Sequence, residues 1–151
     1  MLKARIDQDL KAALLGGDKV LATTLRGLKS AILYVEVAQG TRDKGLSDDE
    51  IIVVLSKEAK KRQESADLFQ KGGNREKAAA ELEEKRVIEA YLPERLSDEE
   101  LVALIDSVIA ELAVSGPQAM GQVIGQVKQK TAGSADGAQI AALVKERLSK
   151  A

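Results

Sequence analysis

The stretch DKVLATTLRGLKSAILYV, residues 18–35, decides the fold class. Its large apolar residues alternate by four and three positions, at Leu21, Leu25, Leu28, Ile32 and Val35. This spacing places them along one side of a helix and is typical of a seam between packed helices. The stretch therefore predicts a long amphipathic helix that packs in a helical bundle.

An earlier helix is expected on the N-terminal side of this stretch. Ile6, Leu10 and Leu14 repeat every four residues, and the segment Gly16–Asp18 separates them from the long helix. Glycine commonly follows the end of a helix, and aspartate is a favoured N-cap. We expect the glycines to end the first helix and Asp18 to cap the second.

Two more helices are expected before residue 92. Ser47 and Glu50 have the capping-box spacing ahead of an apolar run, which predicts a helix that ends near Gly72. A fourth helix is predicted from about Arg75 to Tyr91. The residues expected to face inward are Ile51, Val54, Leu55, Ala59, Ala66 and Phe69 on the third helix, and Leu82, Ile88 and Tyr91 on the fourth.

Pro93 marks a division of the chain, because the residue before a proline is pushed out of the helical region. A second capping box, Ser97 with Glu100, opens a further helix, and Pro117 suits the first turn of the next. We therefore predict an all-α protein. It has an N-terminal antiparallel helical bundle in residues 1–92 and a small three-helix C-terminal domain in residues 93–151.

The composition excludes several classes of chemistry. The 151 residues contain no cysteine, histidine or tryptophan, and the aromatic residues are Tyr34, Phe69 and Tyr91. Zinc sites built on cysteine or histidine, histidine acid–base catalysis and cysteine nucleophiles are therefore excluded. No cofactor and no metal is expected. The formal net charge is −1, so any contact with nucleic acid must come from a local basic surface.

The chain shows no sign of a membrane segment or a signal peptide. No apolar run approaches the roughly 20 residues that span a bilayer. The N-terminal segment carries Asp7 and Asp9 and lacks an apolar core of the signal-peptide kind. A cytoplasmic protein without membrane contact is the resulting expectation.

Four carboxylates on the fourth helix are candidates for catalysis. In principle they could form an acid–base pair or a magnesium site. A solvated helix face, with Glu81 and Lys85 as an i,i+4 ion pair, is the favoured interpretation, and no phosphate loop or serine-nucleophile motif is present. An enzyme with all of its catalytic groups in this chain is not expected. The four residues are Glu81, Glu83, Glu84 and Glu89.

A basic cluster on the third helix is the second candidate site. Lys57, Lys60, Lys61 and Arg62 lie within two helical turns, with Glu58 close by. Such a cluster is compatible with an ordinary solvated surface, with ion pairs across the bundle, or with a surface that faces phosphates.

Glycines near the C-terminus are the third and most specific candidate. Gly121 and Gly125 lie one turn apart in a predicted helix, where each costs about 1 kcal/mol relative to alanine. Close helix packing is the favoured reason, and close approach of a ligand backbone is the alternative. Lys128 and Lys130 then lead to a glycine-rich turn and to the N-terminus of the last helix. Asp136 is expected to cap that helix, although the free N–H groups there could instead accept a phosphate.

Three blocks of sequence resemble the YqeY family. They are YLPERLSDEEL at residues 91–101 together with Met120-Gly121, the turn GSADG at residues 133–137, and KEAKKRQES at residues 57–65. The resemblance spans nearly the whole chain. Gln122 departs from it, because lysine is common there in the family, and this departure removes a positive charge.

The YqeY resemblance implies an all-helical protein whose C-terminal part is similar to the tail domain of GatB, the B subunit of tRNA-dependent amidotransferase. The leading hypothesis is a non-catalytic tRNA-binding or tRNA-associated module. One alternative is a protein–protein adaptor for an amidotransferase or synthetase subunit. Another is an accessory to a carbon–nitrogen ligase that uses glutamine as amido donor, as the family label implies. The proposed binding residues are Lys57, Lys60, Lys61, Met120, Gly121, Gly125, Lys128, Lys130, Gly133 and Gly137.

Overall fold

The computed structural model describes residues 1–150, which contain seven α-helices, a single 3-10 turn and no strand. The all-α prediction is therefore confirmed. The helices are α1 (Leu2–Leu15), α2 (Lys19–Gln39), α3 (Asp48–Lys71), α4 (Arg75–Glu89), α5 (Asp98–Leu112), α6 (Met120–Thr131) and α7 (Gly137–Lys150), and the 3-10 turn, Pro117–Ala119, precedes α6.

The predicted helix starts are confirmed where a polar side chain caps the helix. The Asp18 carboxylate accepts a hydrogen bond from the Leu21 N–H at the start of α2. At α3, the Ser47 hydroxyl accepts from the Glu50 N–H, and the Glu50 carboxylate accepts from the Ser47 N–H. The box formed by Ser97 and Glu100 repeats this arrangement at α5.

The chain divides into two compact units, Met1–Leu92 and a second that begins at Pro93. In the first unit, α1 to α4 all contribute to one hydrophobic core. The apolar side chains that are almost completely removed from solvent in this core are Ile6, Leu25, Leu28, Ile32, Ile51, Leu55 and Ile88.

The buried side of α4 differs from the prediction at one of the three residues named. Leu82 is 44% exposed, because the side of α4 that faces α3 runs instead through Ala78, Glu81, Lys85 and Ile88. Two of these four positions are charged, so apolar spacing alone did not reveal them, although the predicted residues Ile88 and Tyr91 are buried. The helix also ends at Glu89, two residues before the predicted end.

The second unit has its own core, formed by α5, α6 and α7 with the 3-10 turn. The Leu96 N–H donates to the Ser134 carbonyl at 3.0 Å, which joins the segment before α5 to the turn before α7. The fully buried apolar residues here include Leu101, Ile105, Val108, Val123, Val127, Ile140 and Val144.

Alanine occupies a left-handed backbone conformation at two helix ends in the second unit. Ala113 follows α5 with φ of 52°, and Ala132 follows α6 with φ of 44°. Glycine is the usual residue at such positions, because a Cβ atom clashes with the neighbouring carbonyl there.

Candidate functional site

The exposed side of α6 carries two glycines with nothing packed on them. A Cβ atom added to Gly121 or Gly125 would meet no atom within 4 Å. The helix buries its opposite side through Val123 and Val127. Close helix packing, the favoured reason for these glycines, is therefore wrong within the second unit, because none of its described residues on a neighbouring helix would contact the added Cβ atoms.

Lys128 extends this glycine surface to the start of α7. It lies one turn beyond Gly125 on the same side of α6. A Cβ added to Gly137 would lie 3.4 Å from Lys128 Cε and 3.5 Å from its Nζ, so the ammonium group rests beside the first residue of α7. We call Gly121, Gly125, Lys128 and Gly137 the glycine face.

Other predicted site residues lie outside the glycine face. The Lys130 ammonium forms an ion pair with Glu111 of α5 at 2.9 Å. Met120 is half-buried against the core of the second unit. Gly133 has φ of 87° in the turn before α7, and this backbone conformation is sufficient to explain why glycine occupies the position.

The basic cluster on α3 is partly neutralised by acidic neighbours. Arg62 is half-buried and donates to Glu58 at 3.0 Å and to Glu84 of α4 at 2.9 Å. Lys61 pairs with Glu58 at 3.3 Å. Lys57, Lys60 and Lys61 are exposed. Arg62 thus joins two helices, while the three lysines face solvent.

The four carboxylates of α4 lie in ion pairs, but the favoured interpretation of a solvated face is met only in part, because Glu81 and Glu84 are half-buried beside α3 and Lys85 pairs with Glu89 rather than with Glu81. Arg62 contacts both Glu81 and Glu84, at 4.0 and 2.9 Å. Glu83 pairs with Arg86 and Glu89 pairs with Lys85. Within residues 1–150, no group of three or more acidic side chains has the arrangement that would hold a metal ion.

A partly buried ion pair joins α1 to α2 in the first unit, and the apolar spacing gave no signal of which residue pairs with Glu36. Glu36 of α2 is only 1% exposed, and it accepts from the Lys3 ammonium with both carboxylate oxygens, at 2.8 and 3.1 Å. Both residues line a cavity of about 210 Å³ whose apolar wall includes Ile6 and Ile32. Glu36 lies four residues after Ile32, so the core periodicity does reach it.

A second cleft, of about 580 Å³, lies between α1 and the end of α4. Its Tyr91 hydroxyl donates to Asp9, and the Arg5 guanidinium lies 4.7 Å from the centre of the Tyr91 ring. Burial, followed by the hydrogen bond to Asp9, raises the pKa of Tyr91 above its usual value. The phenol therefore stays protonated at neutral pH and acts as a hydrogen-bond donor rather than as a nucleophile.

No helix within residues 1–150 combines the length and the apolar character needed to cross a membrane.

Comparison with known proteins gives consistent matches. Residues 3–148 match the family model described as "Yqey-like protein". The chain is 34% identical over 131 residues to "Altered inheritance of mitochondria protein 41, mitochondrial" of Eremothecium gossypii, covering 85% of this chain and 70% of the relative. It is 32% identical to the protein of the same name from Kluyveromyces lactis, with the same two coverages.

These relatives contradict the predicted cytoplasmic location. Their names assign them to mitochondria. The prediction was wrong because it rested on a soluble composition and on the absence of an apolar segment. Neither feature distinguishes one aqueous compartment from another.

Proposed function

Because this chain belongs to the YqeY family, we propose that it is a non-catalytic module that binds tRNA, or acts beside it, through the glycine face of its second unit. Support comes from the resemblance of residues 93–151 to the tail of the amidotransferase B subunit. We include in this proposal an antiparallel bundle in the first unit and a three-helix domain in the second, which the short turns between successive helices favour.

The observation that carries the proposal is the unpacked pair of helical glycines. Glycine costs up to about 1 kcal/mol relative to alanine in a helix, and no described residue of the second unit lies close enough to Gly121 or Gly125 to require the absence of a side chain there. A surface without side chains allows a sugar–phosphate backbone to approach the helix closely. The ammonium of Lys128 at its edge supplies the positive charge that such a backbone attracts.

The chemistry of this surface favours recognition by shape and phosphate contacts. The aromatic residues Tyr34, Phe69 and Tyr91 all lie in the first unit, so the second offers no ring for base stacking. A structured RNA, read through its backbone and 2′-hydroxyl groups, is the ligand class that fits. The exposed lysines of α3, Lys57, Lys60 and Lys61, form a second basic surface that we include in the proposal.

The test is the anisotropy of labelled total tRNA, titrated with the protein across a salt series. Lys128→Gln is expected to weaken binding several-fold and to reduce the log–log salt slope by about 1, because one phosphate contact is lost. Lys130→Gln is the matched control: it removes the same charge from the same helix turn, but from a side chain directed at Glu111.

Alanine substitution separates a binding role from a structural role. Gly121→Ala and Gly125→Ala are each expected to raise the free energy of unfolding by up to about 1 kcal/mol. If the glycine face binds RNA, the same variants lose tRNA affinity while they gain stability. Unchanged affinity in both variants and in Lys128→Gln would show that this face is not the binding site.

A protein–protein adaptor is the second candidate function. It is favoured by the near-neutral net charge and by the acidic partners of Arg62 and Lys61. Absence of tRNA binding at low salt, where electrostatic attraction is strongest, would exclude an independent RNA-binding module and favour the adaptor.

A further inference from the structure

Arg5 and Asp9 lie one turn apart on α1, yet they do not form an ion pair with each other. Opposite charges four positions apart on a helix are neighbours and commonly pair. Here both side chains contact Tyr91 instead. The Arg5 guanidinium lies 4.7 Å from the centre of the tyrosine ring, and Asp9 accepts a hydrogen bond from the tyrosine hydroxyl. Tyr91 therefore keeps the two charges apart.

The Arg5 guanidinium keeps most of its hydrogen-bonding capacity. Among the residues that the structure describes, its one hydrogen bond goes to the Ala90 carbonyl and is 3.4 Å long. A guanidinium carries five N–H donors and stays charged in proteins. Stacking on an aromatic ring holds the plane of the group and leaves its edge open. Arg5 is therefore a fixed cation with unused donors.

The other charged residues that line this cleft have partners in the chain. Asp9 accepts from the tyrosine hydroxyl, and Asp18 accepts the N-cap hydrogen bond of α2. Arg86 donates to Glu83 at 2.6 Å. Arg5 differs from them, because no carboxylate in the described part of the chain forms an ion pair with it. The cleft thus presents one positive group that is free to bind an anion.

The cleft has room for an organic molecule beside this cation. Its volume of about 580 Å³ lies within the range of about 300–1,000 Å³ that is usual for small-ligand sites. Leu21 and Val87 line the cleft, and both are partly buried against the core of the first unit. An apolar body can therefore pack against these side chains while its charged group reaches Arg5.

From these contacts we infer that the cleft between α1 and the end of α4 binds a small organic anion. The carboxylate or phosphate group of this anion pairs with Arg5, and its apolar body lies against Leu21 and Val87. The planar guanidinium binds either group through two parallel N–H···O bonds. This site lies in the first unit and is independent of the glycine face and of tRNA.

Tyr91 is a positioning residue in this site. Its ring holds the guanidinium, and its hydroxyl holds the Asp9 carboxylate that would otherwise neutralise Arg5. Burial raises the pKa of Tyr91, so the phenol stays protonated and continues to donate. Asp9 and Asp18 still carry negative charge and reduce the attraction for an anion. We therefore expect weak binding, with a dissociation constant on the order of 1 mM for a small aromatic anion.

Two-dimensional NMR spectra of the amide groups, recorded during titration with benzoate, phenyl phosphate or benzyl alcohol, test the site. The first two probes carry a carboxylate and a phosphate on the same ring, and the alcohol carries no charge. We expect the anions to shift the amide signals of residues along the cleft, such as Ala13 and Ala90, and a preference for one anion identifies the group that binds. Equal shifts with benzyl alcohol overturn the proposal, as does the absence of shifts with both anions.

Arg5→Gln removes the positive partner of the anion. It is expected to raise the dissociation constant by about tenfold or more. Arg26→Gln is the matched control, because Arg26 is exposed on α2 and does not line the cleft. Equal weakening by both variants would assign the binding to general surface charge and overturn the proposal. An unchanged dissociation constant in the Arg5→Gln protein also overturns it.

Substitutions at Asp9 and Tyr91 have opposite expected effects. Asp9→Asn removes the negative charge near Arg5 but keeps an acceptor for the Tyr91 hydroxyl, so the dissociation constant is expected to fall roughly threefold or more. Tyr91→Phe keeps the ring but frees Asp9 to pair with Arg5, so the dissociation constant is expected to rise by a similar factor. Weaker binding by the Asp9→Asn protein overturns the proposal. That variant alone decides the outcome if circular dichroism shows that the Tyr91→Phe protein does not fold.

Discussion

Two alanine residues at helix ends adopt an unfavourable backbone conformation. Ala113 and Ala132 adopt positive φ at the ends of α5 and α6, where an L-residue costs roughly 1–2 kcal/mol. Neighbouring Gly133 also has positive φ, at 87°, without that cost.

Ala132→Gly is expected to raise the free energy of unfolding by about 0.5–1 kcal/mol. The relief of strain at φ of 44° is partly offset by the greater entropy of glycine in the unfolded chain. Urea unfolding followed by circular dichroism measures the change. Gly133→Ala is the control with the opposite expected sign, and a destabilised Ala132→Gly protein would contradict the strain argument.

Sequence reasoning succeeded at residues whose partner is near in sequence and failed where the partner is distant. Asp18 was predicted as a cap because its acceptor role involves Leu21, three residues away. The Glu36–Lys3 pair joins residues 33 positions apart, and no local rule connects them. Gly121 and Gly125 were assigned to packing because spacing alone does not reveal which side of α6 lacks a neighbour.

At the level of elements, the helix starts are set by short, local hydrogen-bond patterns. The capping boxes at α3 and α5 were both predicted, and both are present. The buried side of α4 was predicted only in part: Ile88 is buried as expected, whereas the charged residues Glu81 and Lys85 were not expected there. Their pairs with residues of α3, such as Lys85 with Gln63 at 2.8 Å, depend on the neighbouring helix.

Ser97→Ala is expected to lower the free energy of unfolding by about 1 kcal/mol, because the Glu100 N–H loses its acceptor at the start of α5. Ser107→Ala, at an exposed position within the same helix, is the matched control and should be neutral or slightly stabilising. Urea unfolding of both variants measures the difference. Equal effects would show that the cap contributes nothing.

Over the whole molecule, the response to pH depends on carboxylates, because histidine is absent. The backbone N–H of Leu2 and the N-terminal ammonium lower the pKa of Asp48. Hydrogen bonds from Ser47 lower the pKa of Glu50, and Lys150 lowers that of Glu146. All three shifts favour the charged form in the folded state.

A carboxylate with a lowered pKa in the folded state stabilises the protein above its unfolded pKa of about 4, and this contribution disappears as the pH falls through the folded value. The melting temperature is therefore expected to stay nearly constant from about pH 5 to 8 and to fall below about pH 4. Thermal scans at constant ionic strength measure it. A gain in stability on acidification would contradict the assignment.

The part of the α3–α4 hairpin that lies beyond the core is held together by small and charged side chains. Beyond Ala59, no residue of α3 belongs to the core of this unit, and the buried contacts there come from Ala66 and Ala78. Alanines and partly exposed ion pairs hold two helices together less strongly than large apolar side chains do. We therefore expect the distal half of this hairpin to unfold locally while the core persists, and its amide hydrogens to exchange before those of the core.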